Sequence, residues 1–541
     1  MALKILKVTA EAFPLAKSGG LGDAVSGMAE ALRRTGTDVT LLLPAYRGVL
    51  AKMDQVRQIA VLDNLPGGRA HLVSARHAEL DVPVLLLVND ALYDRPHLYV
   101  DENGYEYGDN AIRFGALAHA ALAIAQGHTT LAAPDVIHAH DWHAALVPLL
   151  VHQAGLKHVK TVLTIHNLAF QGVYGMEMAH PLRLQSRYLT AKGLEFWGKI
   201  NFMKAGIQYA DRISAVSRTY AREILTPEFG CGLEGVLQAR RDCLLATPNG
   251  IDDVVWNPDR ADTLAEHRFN ASDISNKATC KADLQQSFGL QVDADTTLIA
   301  LGSRLTTQKM ADLAIDALPR VLAAHPKLQV AAIGQGDRGL EHRLVAAAEA
   351  FPGRFSVRIG FDEKTAHALH AGADVLLHGS RFEPFGLTPI YAMRYGTLPI
   401  GSKTGGMADT ISDAGGDAGV SAMRGSTGFL FEGDSVDAMV AAIDRAMAVR
   451  AHPGIWRAMQ HNAMTADFSW RNSVSVYMRM YRSLVPAALF LEPTSEILAT
   501  RVSAKRRAPA PTFGRRVGNG ASEPRRLHAD GRGARSDAAA A

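Results

Sequence analysis

The sequence predicts an α/β protein made of two parallel sheets, on three observations. At 541 residues the chain is too long for one hydrophobic core, so two or more domains are expected. Strand and helix signals alternate through two separate stretches, the pattern of parallel strands joined by crossover helices. Between them, Thr247-Pro-Asn-Gly-Ile-Asp252 carries turn chemistry and marks the junction. The expected domains are therefore 1–250 and 251–485, with a separate tail at 486–541.

The first stretch opens with a strand from Ile5 to Ala10, a glycine-containing turn, and a helix from about Gly22 to Arg34. Further strands are expected at Asp38 to Leu43, Val82 to Val88, Asp135 to His140 and Thr161 to Ile165. In the second stretch, strands are expected at Thr297 to Gly302, Leu328 to Gly334 and Phe355 to Ile359. They continue at Asp374 to His378, Thr397 to Gly401 and Gly428 to Phe431. Helices at Met310 to Ala324 and Val436 to Arg450 separate members of this set. Closing helices are expected over Trp456 to Val485, broken at Asp467-Phe-Ser-Trp470.

Charge divides unevenly. From Arg501 onward there are ten Lys/Arg and three Asp/Glu, a net of +7. The remainder has 47 basic and 51 acidic residues, a net of −4. The body is mildly acidic, so nucleic acid is not its natural partner, and the basic character belongs to the tail. That tail is rich in Ala, Arg, Gly and Pro without periodicity, a composition expected to stay disordered. Cys231, Cys243 and Cys280 lack metal or disulfide spacing, which fits a reducing, cytoplasmic location. No apolar run reaches the length of a membrane span, and the N-terminal residues read as a strand rather than a signal peptide.

The segment Ser380-Arg-Phe-Glu-Pro-Phe-Gly-Leu-Thr388 places a carboxylate, Glu383, on a strand-to-helix turn. Such turns, at the C-terminal edge of a parallel sheet, are where these folds bind ligands. The N–H groups of Gly386, Leu387 and Thr388 would face an anion there, aided by the helix dipole. An ordinary capped helix start is the alternative.

In Lys17-Ser-Gly-Gly-Leu-Gly-Asp23, Gly19 and Gly20 permit close backbone approach to a ligand, and Lys17 supplies a positive charge. It is neither a dinucleotide fingerprint nor a Walker loop. A tight turn, with Asp23 near the helix start, explains it equally simply. His138-Ala-His140-Asp141-Trp142-His143 could suggest a metal, but a zinc site needs a nearly closed tetrahedral ligand set. A sugar site, with Asp141 accepting hydroxyl hydrogen bonds, suits a sheet edge better. His166 ends the next strand, where it could serve a substrate or be an ordinary satisfied histidine. Arg304 and Lys309 end the first strand of the second half and suit a diphosphate leaving group, unless they are a solvated pair.

Together these motifs resemble the bacterial glycogen synthase and plant starch synthase family. The likeness runs from about Leu3 to Val485, and adds Gly193-Leu-Glu-Phe, Lys204-Ala-Gly, Asn249-Gly-Ile-Asp and Lys403-Thr-Gly-Gly to the segments above. It implies a retaining GT-B glucosyltransferase, with two Rossmann-like domains facing across a cleft, that transfers glucose from ADP-glucose to an α-1,4-glucan. It also implies that Glu383 lies near the donor glucose and that Arg304 and Lys309 hold the pyrophosphate. Lys17 and the Gly19–Gly20 turn would contact the donor from the other domain, while Asp141, His166 and Asn249 line the glucose site. Phe361 falls where the family sets an aromatic ring against adenine, and the helix after Trp470 would cross back to the first domain. No metal or organic cofactor is expected. Met310, Phe385 and the pair His378-Gly379 depart from the usual pattern of Gly, Cys and a Pro before Ser380.

Other readings remain distinct: another retaining transferase with a different nucleotide or acceptor, a glycan-binding scaffold without turnover, or a phosphorylase with a cofactor lysine.

Overall fold

The computed structural model describes residues 2–260, 262–360, 362–415 and 425–486. Two sheets dominate it. In the first, seven parallel strands lie in the order Leu244–Ala246, Arg212–Ala215, Lys160–Ile165, Val136–His140, Lys4–Val8, Asp38–Pro44 and Leu80–Val88. The antiparallel strands Gly68–His77 and Asp54–Leu65 extend its far edge. In the second sheet, six parallel strands run Phe355–Ile359, Leu328–Gly334, Thr297–Gly302, Val375–His378, Leu398–Ser402 and Phe429–Phe431.

The central strands are buried along nearly their whole length, as in Val136–His140 and Leu328–Gly334. That is why they read as short apolar runs rather than alternating patterns: helices cover both faces. The chain reverses its winding between Lys4–Val8 and Val136–His140, and again between Thr297–Gly302 and Val375–His378. At such switch points the loops leaving neighbouring strands diverge and open a crevice. The segments beginning at Thr9, Asp141, Ser303 and Gly379 leave these four strands.

Several elements escaped the sequence reading. The strand Asp54–Leu65 is mostly exposed, and register shifts interrupt its pairing at three places, so no period of two survives. Arg212–Ala215 and Leu244–Ala246 are too short to stand out. A small sheet of Val173–Gly175, Lys199–Asn201 and Glu195–Phe196 was also unforeseen. The closing segment forms two helices, Pro453–Thr465 and Trp470–Arg482. The expectation of a disordered tail falls on residues 487–541, outside those described.

The helix Trp470–Arg482 packs against Gly20–Arg34 of the first half. Gly27 makes room for it: a Cβ there would lie 2.2 Å from Trp470 Nε1. Gly250 is equally confined, with a virtual Cβ 2.7 Å from the Trp470 backbone. Tyr481 OH meets His138 Nδ1 at 2.7 Å, and Thr247 Oγ1 donates to Tyr477 OH at 3.0 Å.

Gly27→Ala should therefore lower stability by about 1–3 kcal/mol through overpacking. Gly235→Ala, in the helix Glu234–Ala239 with nothing within 4 Å of its virtual Cβ, should be neutral or stabilise by up to about 1 kcal/mol. Thermal melting of the two variants checks the contrast, and equal melting temperatures would refute the packing account.

Candidate active site

Glu383 lies on the turn leaving Val375–His378 and is buried. Its Oε2 accepts a hydrogen bond from Lys309 Nζ, with which it forms an ion pair, and from His378 Nε2 at 3.2 Å. Burial by itself would raise the carboxyl's pKa. The Lys309 charge and the His378 hydrogen bond outweigh it and hold the value at about 2. The side chain is therefore an anion at every physiological pH.

The turn around it is shaped by glycine. Gly386 caps the helix Leu387–Arg394 at φ 85°, a left-handed conformation natural to glycine. The first-turn N–H groups, Leu387 and Thr388 included, have no acceptor inside the helix. Gly405 has φ 46°, and a Cβ on it would fall 1.8 Å from the Glu383 carbonyl oxygen. Arg304 is exposed, and its Nη2 donates to Gln308 Oε1 at 3.3 Å.

Residues of the first half face this turn. A Cβ on Gly20 would meet Leu387 Cδ1 at 2.9 Å, so the two glycine-bearing turns converge. Lys17 pairs with Asp23 at 2.8 Å. Burial raises the Asp23 carboxyl, and Lys17 opposes the shift. The N–H of Gly19 is not open to a ligand: it donates to Glu11 Oε2 at 3.3 Å, beside Ser18 N at 2.8 Å. Ser217 Oγ donates to the Pro384 carbonyl at 2.7 Å, tying the backbone beside Glu383 to the first half.

Asp141 starts a short helix after the strand Val136–His140 and has φ 55°. Its Oδ1 accepts from His166 N at 2.7 Å and Asn167 N at 3.1 Å. Burial pushes its pKa up to about 7, more than these two hydrogen bonds pull it down. His166 Nε2 bonds His140 Nδ1 at 3.0 Å, and burial lowers the His166 pKa to about 3, so the ring is neutral. Asn249 is buried near the end of the outermost strand, its Oδ1 without a partner among the described residues. Phe361 lies outside the described residues.

The histidine cluster has no metal geometry. His138 and His140 stack at 4.3 Å on one strand face, and His138 Nε2 bonds Thr164 Oγ1 at 2.6 Å. His143 packs among Tyr99, Phe114 and Trp142. Among the described residues no group of three His, Cys, Asp or Glu could hold an ion.

Comparison with known proteins identifies the family. Residues 4–239 match the family model described as starch synthase catalytic domain, and residues 284–459 that of glycosyl transferases group 1. A glycogen synthase of Bordetella petrii is 56% identical over 482 residues, covering 89% of this chain and 92% of that protein. The chain belongs to the glycogen synthase family. A glycogen synthase of Ralstonia nicotianae is 50% identical, covering 90% of this chain and 89% of its own. The solved catalytic domain of starch synthase IV from Arabidopsis thaliana, bound to ADP and acarbose, matches with a TM-score of 0.79 and 27% identity. That match covers 90% of this chain and 99% of the other. The two facing Rossmann-like sheets are the GT-B arrangement expected of the family.

This glycogen synthase family member also uses residues that the sequence reading passed over. Glu11, 3% exposed, accepts from Ser18 N, Ser18 Oγ, Gly19 N and Tyr99 OH and so shapes the glycine-rich turn. Its nearness to Gly19 was a usable signal, whereas Tyr99, 88 residues further on, offered none. Met310, expected to be Gly from the family likeness, adopts φ 50°. Phe385, expected to be Cys from the family likeness, is buried.

The Asp141 pKa makes a pH prediction. A carboxyl raised in the folded state favours folding below its unfolded value of about 4, and that contribution is lost as pH rises through the folded value. Asp141→Asn keeps the acceptor oxygen without the ionisation. The variant's melting temperature should therefore rise relative to wild type between pH 5 and pH 8, windows set by the value of about 7. A pH-independent difference would rule out burial of an ionising Asp141.

Proposed function

We propose that the chain is a retaining glucosyltransferase that moves glucose from ADP-glucose to the non-reducing 4-hydroxyl of an α-1,4-glucan, releasing ADP. The observation that carries this reading is the buried, ionised Glu383 beside Lys309, at the turn approached by Gly20 of the opposite half. Residues 1–250 form the acceptor side and 251–485 the nucleotide-sugar side. The Bordetella and Ralstonia relatives are named glycogen synthases, and the Arabidopsis structure contains ADP.

As the anomeric carbon–oxygen bond to the diphosphate breaks, positive charge develops on the sugar, as in glycoside hydrolysis. Glu383 supports that charge, while Arg304 and Lys309, with the N–H groups of Gly386, Leu387 and Thr388, receive the departing diphosphate. Lys17, Gly20 and Asp23 border the donor from the other half. Gly19 acts through the turn, since its own N–H serves Glu11. Asp141 and Asn249 offer acceptor oxygens to glucose hydroxyls, and His166 presents a neutral ring. Retention requires the glucan hydroxyl to arrive on the face that ADP leaves.

Phe361 keeps its role against adenine as a proposal from the family likeness alone. None of these steps calls for a metal or an organic cofactor. Free Cys231, Cys243 and Cys280 fit a reducing cytoplasm, and among the described residues no helix is long and apolar enough to cross a membrane.

Glucan elongation with ADP-glucose and UDP-glucose side by side, each with and without EDTA, is the primary test. Elongation should favour ADP-glucose and survive chelation. Absence of ADP release, or loss on EDTA restored by a divalent ion, would overturn the assignment.

Variants separate the acidic and basic roles. Glu383→Gln should lower turnover far more than donor affinity, because its charge matters most as the sugar becomes cationic. Arg304→Ala should harm both, by about a hundredfold in rate for about 3 kcal/mol of lost electrostatic contact. Arg304 is a cleaner probe than Lys309, whose removal also strips Glu383 of its counter-ion. Near-normal turnover in Glu383→Gln would take that residue out of the mechanism.

A further inference from the structure

We infer that His378 is a positioning residue that sets which oxygen of Glu383 stays free for the substrate. His378 ends the strand Val375–His378 at the switch point and is 4% exposed. Its Nε2 and the Lys309 ammonium both address Oε2 of Glu383. Two donors on one oxygen pin the carboxylate's rotation and leave Oε1 outside both of these hydrogen bonds.

The protonation of the ring follows from its surroundings. An ionised carboxylate only accepts hydrogen bonds, so the ring proton must sit on Nε2. His378 Nδ1 is buried with no partner among the described residues, which suits a bare nitrogen. A second proton there would create an unpaired buried N–H and add a positive charge beside Lys309. The ring is therefore a neutral, single-proton donor. Burial lowers its pKa, in line with that geometry.

Packing holds both donors in register. A Cβ on Gly379 would lie 3.1 Å from Met310 Cβ and 3.2 Å from its sulfur, so the bare glycine accommodates the methionine. Met310, 2% exposed, is the residue after Lys309, and its sulfur takes a contact from Ser402 Oγ at 3.5 Å. Met310 and Gly379 thus fit each other across the two turns that carry Lys309 and Glu383. When the diphosphate draws on Lys309, the His378 bond remains to keep Glu383 in place. Lys309 can then serve the leaving group without releasing the carboxylate.

The test compares His378→Gln with His378→Asn, under the glucosyltransferase reading on which this role rests. Gln places an amide N–H near the position of Nε2, whereas Asn places its own near Nδ1, out of reach of Glu383. Both are polar and neutral, so they share the cost of replacing a buried ring. Turnover with saturating glycogen and ADP-glucose should fall about tenfold in His378→Asn, the scale of one lost hydrogen bond, and largely recover in His378→Gln. ADP binding by calorimetry should stay within about threefold of wild type in both, since the His378 ring bonds Glu383 and is not among the groups proposed to hold the diphosphate. Equal turnover in the two variants, whether both normal or both reduced, would overturn the assignment. So would a loss confined to ADP affinity. Wild-type protein lacking any ADP-glucose turnover would instead overturn the glucosyltransferase reading, so the two failures are separable.

Discussion

A buried carboxylate without compensation is too costly to remain ionised, and the centre of this molecule is arranged around keeping Glu383 charged. Lys309 arrives from the end of one strand's loop and His378 from the end of the neighbouring strand. They can meet only because Thr297–Gly302 and Val375–His378 are adjacent and parallel, so their C-terminal ends open on the same side. The two strands are separated by 72 residues between Gly302 and Val375, and pairing them brings the ion pair into being. The glycine turn at Gly405 closes the backbone beneath it: its N–H bonds Glu223, and its missing side chain leaves room for the Glu383 carbonyl.

The same constraint couples the two halves. Ser217 donates to the Pro384 carbonyl, one residue from Glu383, and Thr219 bonds Asp409 through both its N–H and its hydroxyl at 2.9 and 2.7 Å. Glu223 receives Thr404 Oγ1 at 3.0 Å and Gly405 N at 2.9 Å. These contacts set the helix Arg218–Glu223 and its cap Ser217 against Pro384 and the start of the helix Gly405–Thr410, beside the carboxylate. On the opposite flank, Trp470 sits between Gly27 and Gly250, and Tyr481 reaches the His138–His140 stack. That stack continues to His166 through a 3.0 Å hydrogen bond. The crossing helix is thus linked to the proposed glucose site by packed rings and hydrogen bonds rather than by chain connectivity.

Motifs were legible where local chain geometry alone imposed the residue type. Gly386 must tolerate a left-handed backbone, and Gly20 must let another segment come close, so both show as glycines at strand-to-helix turns. The buried strands showed as apolar runs because both their faces are covered. Asp54–Leu65 did not, because bulges and exposure erase its periodicity. The histidines of Val136–His140 left a metal reading open as the lesser alternative, because sequence cannot distinguish a ring aimed at an ion from one aimed at Tyr481 or Thr164. Glu11 lay close enough to Gly19 to be suspected, but its second partner, Tyr99, is 88 residues away and left no local trace.

By itself, then, the sequence determined the alternation of strands and helices, the position of the glycine turns, and the candidate charges Glu383, Arg304, Lys309 and Lys17. Those are consequences of local backbone sterics and of burial along each strand, which act over a few residues. The tertiary structure alone decided which donors share an oxygen, which histidines bond one another, and which turn lies opposite which. It also decided the ionisation of Glu383 and Asp141: burial raises both, but Lys309 and His378 reverse the shift at Glu383, to about 2, whereas two backbone N–H groups leave Asp141 at about 7. Electrostatic free energy inside a protein depends on distances between atoms far apart in sequence, and those distances exist only once the sheets have formed.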